Sequence, residues 1–402
     1  MIFVTGFHVT NFNTVINRLN KSLKIFLVAL TILLVGCQST ETIYKPSDKL
    51  AVQNLYADHL FSDYQTHQLE TEHEIFSLTP EMVSLIHSQV SSNRSLNQKV
   101  FDLLNLIFDE QQIGLAYKNS ANLTASQTFK NREANCISLT IMAYALAKEA
   151  KLDVYFQDVR VPEYWIRNGK YSLLAGHVNL VVSPAKISHF EYMFQDQKLL
   201  IDFDPYIRKN KFKAKRISKQ TIVAMFYTNV AAEALIEKNY SLAYAYLKKA
   251  TQLDPYYSPA WGNLGILYKY TGELDLAVST YEHAINLNNE NFTAITNLAI
   301  LFKKVGRVKD AISIQNKLHL LRSKNPYYHA MLAQSSLFAG DVNSAISLYK
   351  KAIKLDGKQH EFHYGLAKAY AANNNNLLAQ KAIKKAIKLN KYPDVNNQYL
   401  AK

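Results

Sequence analysis

The hydrophobic and polar positions of this 402-residue chain fall into three regimes. In the first, Ile25 to Val35 is apolar apart from Thr31, with Arg18, Lys21 and Lys24 before it. That run is far shorter than the roughly 20 residues a membrane-spanning helix needs, so it reads as the core of a signal peptide. A second regime mixes helical and alternating patterns. Thr79-Pro80-Glu81 is a helix start with a cap, a first-turn proline and an acid near the positive dipole end. Helices are expected through Val90, from Leu96 to Phe108, and from Ile137 to Ala150 behind a cap at Asn135. Strands are expected over Leu152–Val161, Gly176–Val182 and Leu199–Pro205. In the third regime the helical period is overlaid by a longer one. Ala243, Ala277, Ala311, Ala345 and Ala379 recur every 34 residues, and Ala250, Ala284, Ala352 and Ala386 follow each by seven in four units.

That 34-residue unit is best developed from Ser258 to Asn291, with Trp261, Leu264, Gly265, Tyr268, Ala277, Tyr281 and Ala284, and Pro255 closing the unit before. It resembles the tetratricopeptide (TPR) repeat, a pair of antiparallel helices whose small residues allow close approach. Five units are expected from about 224 to 393, forming an all-α solenoid, with a tail at 394–402. The third unit departs from the pattern at Gln315 and Leu318, and Asn373 to Asn376 form a turn in the last. The resemblance implies a surface that binds a protein or peptide partner and does no chemistry.

The N-terminal run ends in Leu34-Val35-Gly36-Cys37, with no acidic residue before it. This resembles the bacterial lipobox, which implies a signal peptide over 1–36, lipidation of Cys37 and a lipidated tether over 37–50. Several acyl chains anchor a protein stably. Gln38 in place of aspartate implies the outer membrane, facing the periplasm. Cys136 is the only other cysteine, so it has no partner within the chain. An unpaired thiol in an exported protein is either reactive or an inert buried residue.

Residues 51–207 are long enough for one domain with N-terminal helices. Cys136 falls on the first turn behind Asn135, where helix N–H groups and the dipole favour the thiolate. His177 opens a strand, and Asp202 and Asp204 alternate onto one face of another. The order resembles the transglutaminase-like superfamily over about residues 100–207, most specifically in Arg132–Val159 and Gly176-His177-Val178. The implied fold is an α+β papain/transglutaminase-like core. The implied roles are Cys136 as nucleophile, His177 as base and later acid, and Asp202 as the group orienting the imidazole, with Asp204 the alternate. His189 is a competing histidine beyond Pro184. The implied chemistry is hydrolysis or transfer at an amide bond. A non-catalytic lipoprotein scaffold working through its repeats is the other reading. No metal-ligand cluster, phosphate loop or serine elbow is present, so neither a metal nor a cofactor is expected.

Charge divides the chain further. The formal net charge is +14, and residues 224–402 hold 22 Lys/Arg against 12 Asp/Glu. Seven Lys/Arg crowd 208–219, so 208–223 reads as a basic linker. Lys381, Lys384, Lys385 and Lys388 recur at helical spacing, a basic stripe for an acidic partner or a lipid surface and otherwise a solvated capping helix. No nucleic-acid motif accompanies it.

Overall fold

The computed structural model describes residues 52–90, 93–168, 171–183, 199–202 and 212–390. The signal-peptide region, Cys37, the tether, Asp204, His189, residues 208–211 and the C-terminal tail lie outside the described residues.

The first half is an α+β region. Thr71 closes a capping box on α1 (Glu72–Phe76), Thr79 caps α2 (Pro80–Gln89) and Ser95 caps α3 (Leu96–Phe108). Short strands β1 (Ala116–Tyr117) and β2 (Glu133–Ala134) pair in parallel around α4 (Ala125–Asn131). At the centre lies α5 (Cys136–Glu149), in which Ile137 to Ala143 are all buried. A helix apolar on every side belongs inside a core. It packs on an antiparallel sheet of order β5-β4-β3-β6, formed by β3 (Val154–Asn168), β4 (Tyr171–Val182), β5 (Leu199–Ile201) and β6 (Ala214–Ile217). Phe156 of β3 stacks on Tyr144 of α5 with ring centroids 4.5 Å apart, joining sheet to helix.

Two sequence expectations are corrected here. Part of the supposed linker at 208–223 is structured: β6 pairs with Phe156–Val159 of β3, and Ser218 caps the helix that begins at Lys219. The lysines looked like a solvated connection because the side chains of Lys213, Lys215 and Arg216 do stay in water while the backbone completes the sheet. The α+β region also does not claim the whole of 51–207. Residues 52–70 form a strap that docks on the helical repeats, described below.

From Lys219 onward the chain is five helix pairs: α6 (Lys219–Ile236) with α7 (Tyr240–Leu253), α8 (Ser258–Thr271) with α9 (Leu274–Leu287), and α10 (Phe292–Lys304) with α11 (Val308–Arg322). The last two pairs are α12 (Pro326–Phe338) with α13 (Val342–Leu355), and α14 (His360–Ala372) with α15 (Asn376–Leu389). The alanines that set the 34-residue period are all buried between helices. Gly365 shows why the small positions matter: a Cβ there would lie 2.3 Å from the Tyr349 ring.

The array is joined to the α+β region and to the strap at several places, among them an ion pair between Lys219 of α6 and Glu72 of α1 at 2.9 Å. Asn229 of α6 donates to Asn122, which also accepts from Asn135, the cap of α5. The strap lies along α7 and α8. Its Asp58 accepts from Lys248 at 2.6 and 2.7 Å and from Tyr244 at 2.6 Å, and Tyr268 donates to the Leu55 carbonyl. In addition, β3 reaches successive turns of the array. Arg160 approaches Glu290 at 3.8 Å, and Glu163 forms a two-pronged ion pair with Arg322, 2.9 Å on each prong, while its carbonyl accepts from Asn325. Arg322 belongs to the unit that departs from the repeat pattern.

Candidate active site

Cys136 is the first residue of α5 because Asn135, in extended conformation, accepts from Ser138 N–H at 2.9 Å and starts the helix there. β5 pairs with Leu180–Val182 of β4. Further toward the start of β4, Cys136 Sγ lies 3.9 Å from the Gly176 carbonyl, and Thr140 Oγ1 lies 3.5 Å from the Val178 carbonyl. The thiol is therefore held beside the residue that precedes His177.

Strand alternation assembles the rest. His177 and Asn179 share one face of β4, and Asp202, one step beyond the Ile201–Leu180 pair, lies across from Asn179. His177 Nε2 is 2.9 and 3.0 Å from the two Asp202 oxygens, and Asn179 Nδ2 donates to Asp202 Oδ2 at 3.0 Å. All three side chains are buried. A carboxylate can only accept, so Nε2 carries the hydrogen and the Nδ1 lone pair remains for another donor.

His177 and Asp202 are thus brought together, while Cys136 stands against the carbonyl of Gly176, next to His177 in the chain, and no hydrogen bond joins its thiol to the imidazole among the described residues. Asn179 escaped the sequence reading, although its position two residues from His177 on an alternating strand could have pointed to it. Its Oδ1 is buried with no hydrogen-bond partner among the described residues.

The electrostatics of the thiol depart from the expectation for a helix N-terminus. Burial pushes Cys136 up to about 11, with the Asp202 charge adding to the rise, while backbone groups of Val178, Ile137 and Cys136 itself pull the other way. Enclosure wins over the dipole because a thiolate loses more solvation than the first turn returns. Burial also raises Asp158, the β3 residue that pairs with Val178. From the array, Tyr257 adds an acidic group that burial, Asp158, Asp254 and Cys136 together push upward.

Lys381, Lys384, Lys385 and Lys388 all stand exposed on α15. Among the described residues no group of three or more His, Cys, Asp or Glu could hold a metal, and no helix is long and apolar enough to cross a membrane.

No functionally curated protein matches the sequence. Solved structures similar in part include a MamA fragment from Desulfovibrio magneticus RS-1, 18% identical over 41% of this chain and 94% of that one, with a TM-score of 0.25. YrrB, titled a TPR protein with an unusual peptide-binding site, is 20% identical over 44% of this chain and 92% of its own, with a TM-score of 0.25. PilF of Pseudomonas aeruginosa is 16% identical over 44% of this chain and 82% of its own, with a TM-score of 0.27. The tetratricopeptide repeat family matches residues 258–291, 326–359 and 360–393, so the helix pairs α8–α9, α12–α13 and α14–α15 are tetratricopeptide repeats.

Proposed function

We propose that the chain is an envelope lipoprotein, lipidated at Cys37, whose repeats bind a protein or peptide partner. The observation that carries the interaction reading is the strap: the array already holds a segment of short 3-10 turns, residues 52–70, through side chains of α6, α7 and α8. A surface built for one such segment is suited to another. The test is in-cell photocrosslinking from benzoylphenylalanine at the exposed array positions Phe338 and Leu377, with Phe101 on α3 as control. Discrete adducts are expected from the array positions. Adducts no richer than those from Phe101 would count against the reading. Lipidation is tested separately, since Cys37→Ser should move the protein from the membrane to the soluble fraction.

A second reading is favoured by the buried His177–Asp202 pair beside Cys136. It is a transglutaminase-like cysteine hydrolase or acyltransferase acting on an amide of whatever the repeats recruit. His177 Nδ1 takes the thiol proton, Asp202 steadies the imidazolium at Nε2, and the thiolate attacks the amide carbonyl. The amine leaves with the proton from His177, a thioester remains on Cys136, and water or a second amine releases the acyl group. N–H groups at the start of α5 are suited to the oxyanion. Reaction with iodoacetamide tests this. A thiol at about 11 with no base is almost wholly protonated at pH 7, whereas an ordinary cysteine near 8.5 is a few per cent thiolate. Labelling faster than free cysteine at pH 7, and lost in His177→Ala, supports the enzyme. Labelling slower than free cysteine and unchanged in His177→Ala leaves the scaffold reading standing alone.

A further inference from the structure

The strap contact repeats in register elsewhere on the array. Lys248 of α7 holds Asp58, and three repeat periods later the same position is Lys350 on α13, followed by Lys384 on α15. The two neighbouring positions follow suit: Lys351 and Lys385 correspond, as do Lys354 and Lys388. Six lysines therefore occupy equivalent places on the second helices of the last two units, and all six are exposed. The second and third units break the series, with Glu282 and Asn316 at the position of Lys248. Like charges repeated across neighbouring units repel one another, a cost that a bound anion removes.

Unit one shows what such a lysine takes. Lys248 Nζ meets both Asp58 oxygens at 2.6 and 2.7 Å and the Tyr64 hydroxyl at 2.8 Å, and sits 4.5 Å from the centre of the Tyr64 ring. Nearby, Ser241 donates to Asp63 and Tyr246 to Glu70, so three acids of one segment are read by α7. In unit four, Lys350 likewise stands 5.8 Å from an aromatic ring, that of Tyr370. Among the described residues the six lysines form no ion pair with a carboxylate.

We propose that the lysine rows of α13 and α15 dock an acidic polypeptide segment carrying aspartate or glutamate near tyrosine, in the way that α7 docks residues 52–70, a strap of three short 3-10 turns. This gives the interaction reading a partner chemistry and rests on it. The precedent favours a polypeptide over a lipid surface, because the contact in unit one reads separate carboxylates along one chain together with a phenol.

The probe is a fluorescein-labelled peptide with the sequence of residues 52–66, measured by anisotropy against the full-length Cys37→Ser chain. A second peptide carries Asp58→Asn and Asp63→Asn, and vesicles of phosphatidylglycerol in phosphatidylcholine form a separate arm. The protein variant combines Lys350→Glu, Lys351→Glu, Lys354→Glu, Lys384→Glu, Lys385→Glu and Lys388→Glu, with circular dichroism and the urea midpoint reporting that it folds. The acidic peptide is expected to bind in a salt-dependent manner, at least tenfold more weakly to the variant, and the amide peptide to bind at least tenfold more weakly to the unchanged protein. Peptide binding that survives the charge reversal overturns the lysine rows while leaving the array an interaction surface. Absence of peptide binding to the unchanged protein overturns the proposal. Binding of anionic vesicles alone, abolished by the reversal, overturns it in favour of a lipid. Failure of the broader interaction reading is distinct: it appears as missing crosslinks at Phe338 and Leu377.

Discussion

Replacing Glu163 by alanine removes one side of the ion pair through which β3 grips the third repeat unit. Glu163 and Arg322 are 15% and 9% exposed and share two contacts of 2.9 Å. Removing one partner of a buried pair costs about 3–5 kcal/mol, mainly because the other charge is left without compensation. Arg322 keeps the Thr296 hydroxyl at 3.2 Å, and the rings of Phe292 and Tyr328 lie 5.6 and 5.9 Å away. The Asn325 contact to the Glu163 carbonyl also survives, so the loss belongs near the low end, about 3 kcal/mol. At 1.4 kcal/mol per decade, that shifts the balance between docked and released β3 by roughly a hundredfold. Hydrogen exchange read by mass spectrometry should report faster exchange in Val154–Asn168 and around Arg322, with α14 and α15 unchanged. A double-mutant cycle with Arg322→Ala should return a coupling of about 2 kcal/mol or more, as for residues sharing one network. Unchanged exchange together with a coupling below about 0.5 kcal/mol would place the pair with ordinary surface ion pairs and refute the docking argument.

Gly365→Ala should lower the urea midpoint by the equivalent of about 1–3 kcal/mol, because the new Cβ meets the buried Tyr349 ring; a midpoint equal to that of the unchanged protein would show that the ring can move aside. Burial pushes Asp58 up, yet hydrogen bonds from Lys248 and Tyr244 outweigh it and hold its carboxyl below the ordinary value. A lowered folded-state value contributes stability present above the unfolded value near 4 and lost as pH falls below it. The strap should accordingly become more open to proteolysis as pH falls below about 4 in the unchanged protein, and Asp58→Asn should show that exposure already at pH 7. Each of the six lysine-to-glutamate changes, made singly, should leave the urea midpoint within about 0.5 kcal/mol of the original, as expected of surface positions.

The repeat half was legible because its determinants are local. Alanines at fixed spacing must lie between helices, and the buried Ala243, Ala277, Ala311, Ala345 and Ala379 do so. The start of α5 was readable from Asn135 for the same reason, a side chain capping its own helix. The pairing of His177 with Asp202 is expected from the resemblance alone, with Asp204 left open, because strand alternation puts both aspartates on one face. What escaped depends on contacts distant in sequence. β6 hid in a basic run because its pairing with β3 is carried by backbone groups that side-chain polarity does not reveal. Nothing in the local sequence marks Asp58 or Glu163, since their partners lie 190 and 159 residues away. The thiol misled in a different way: the helix start is visible from sequence, but the enclosure that outweighs it is a property of the assembled core.

The contacts made by the strap and by β3 also change how the solenoid can form. In a free repeat array each unit touches only its neighbours, so order can begin anywhere and spread along the stack. Here the first three units are tied to segments that precede them by more than a hundred residues, and their order must wait for those loops to close. The last two units carry no such debt except where β3 meets α12. Unfolding should therefore proceed as peeling from α15 inward and stop at α12, where β3 is docked, leaving a cooperative block of α+β region and earlier repeats that melts as one.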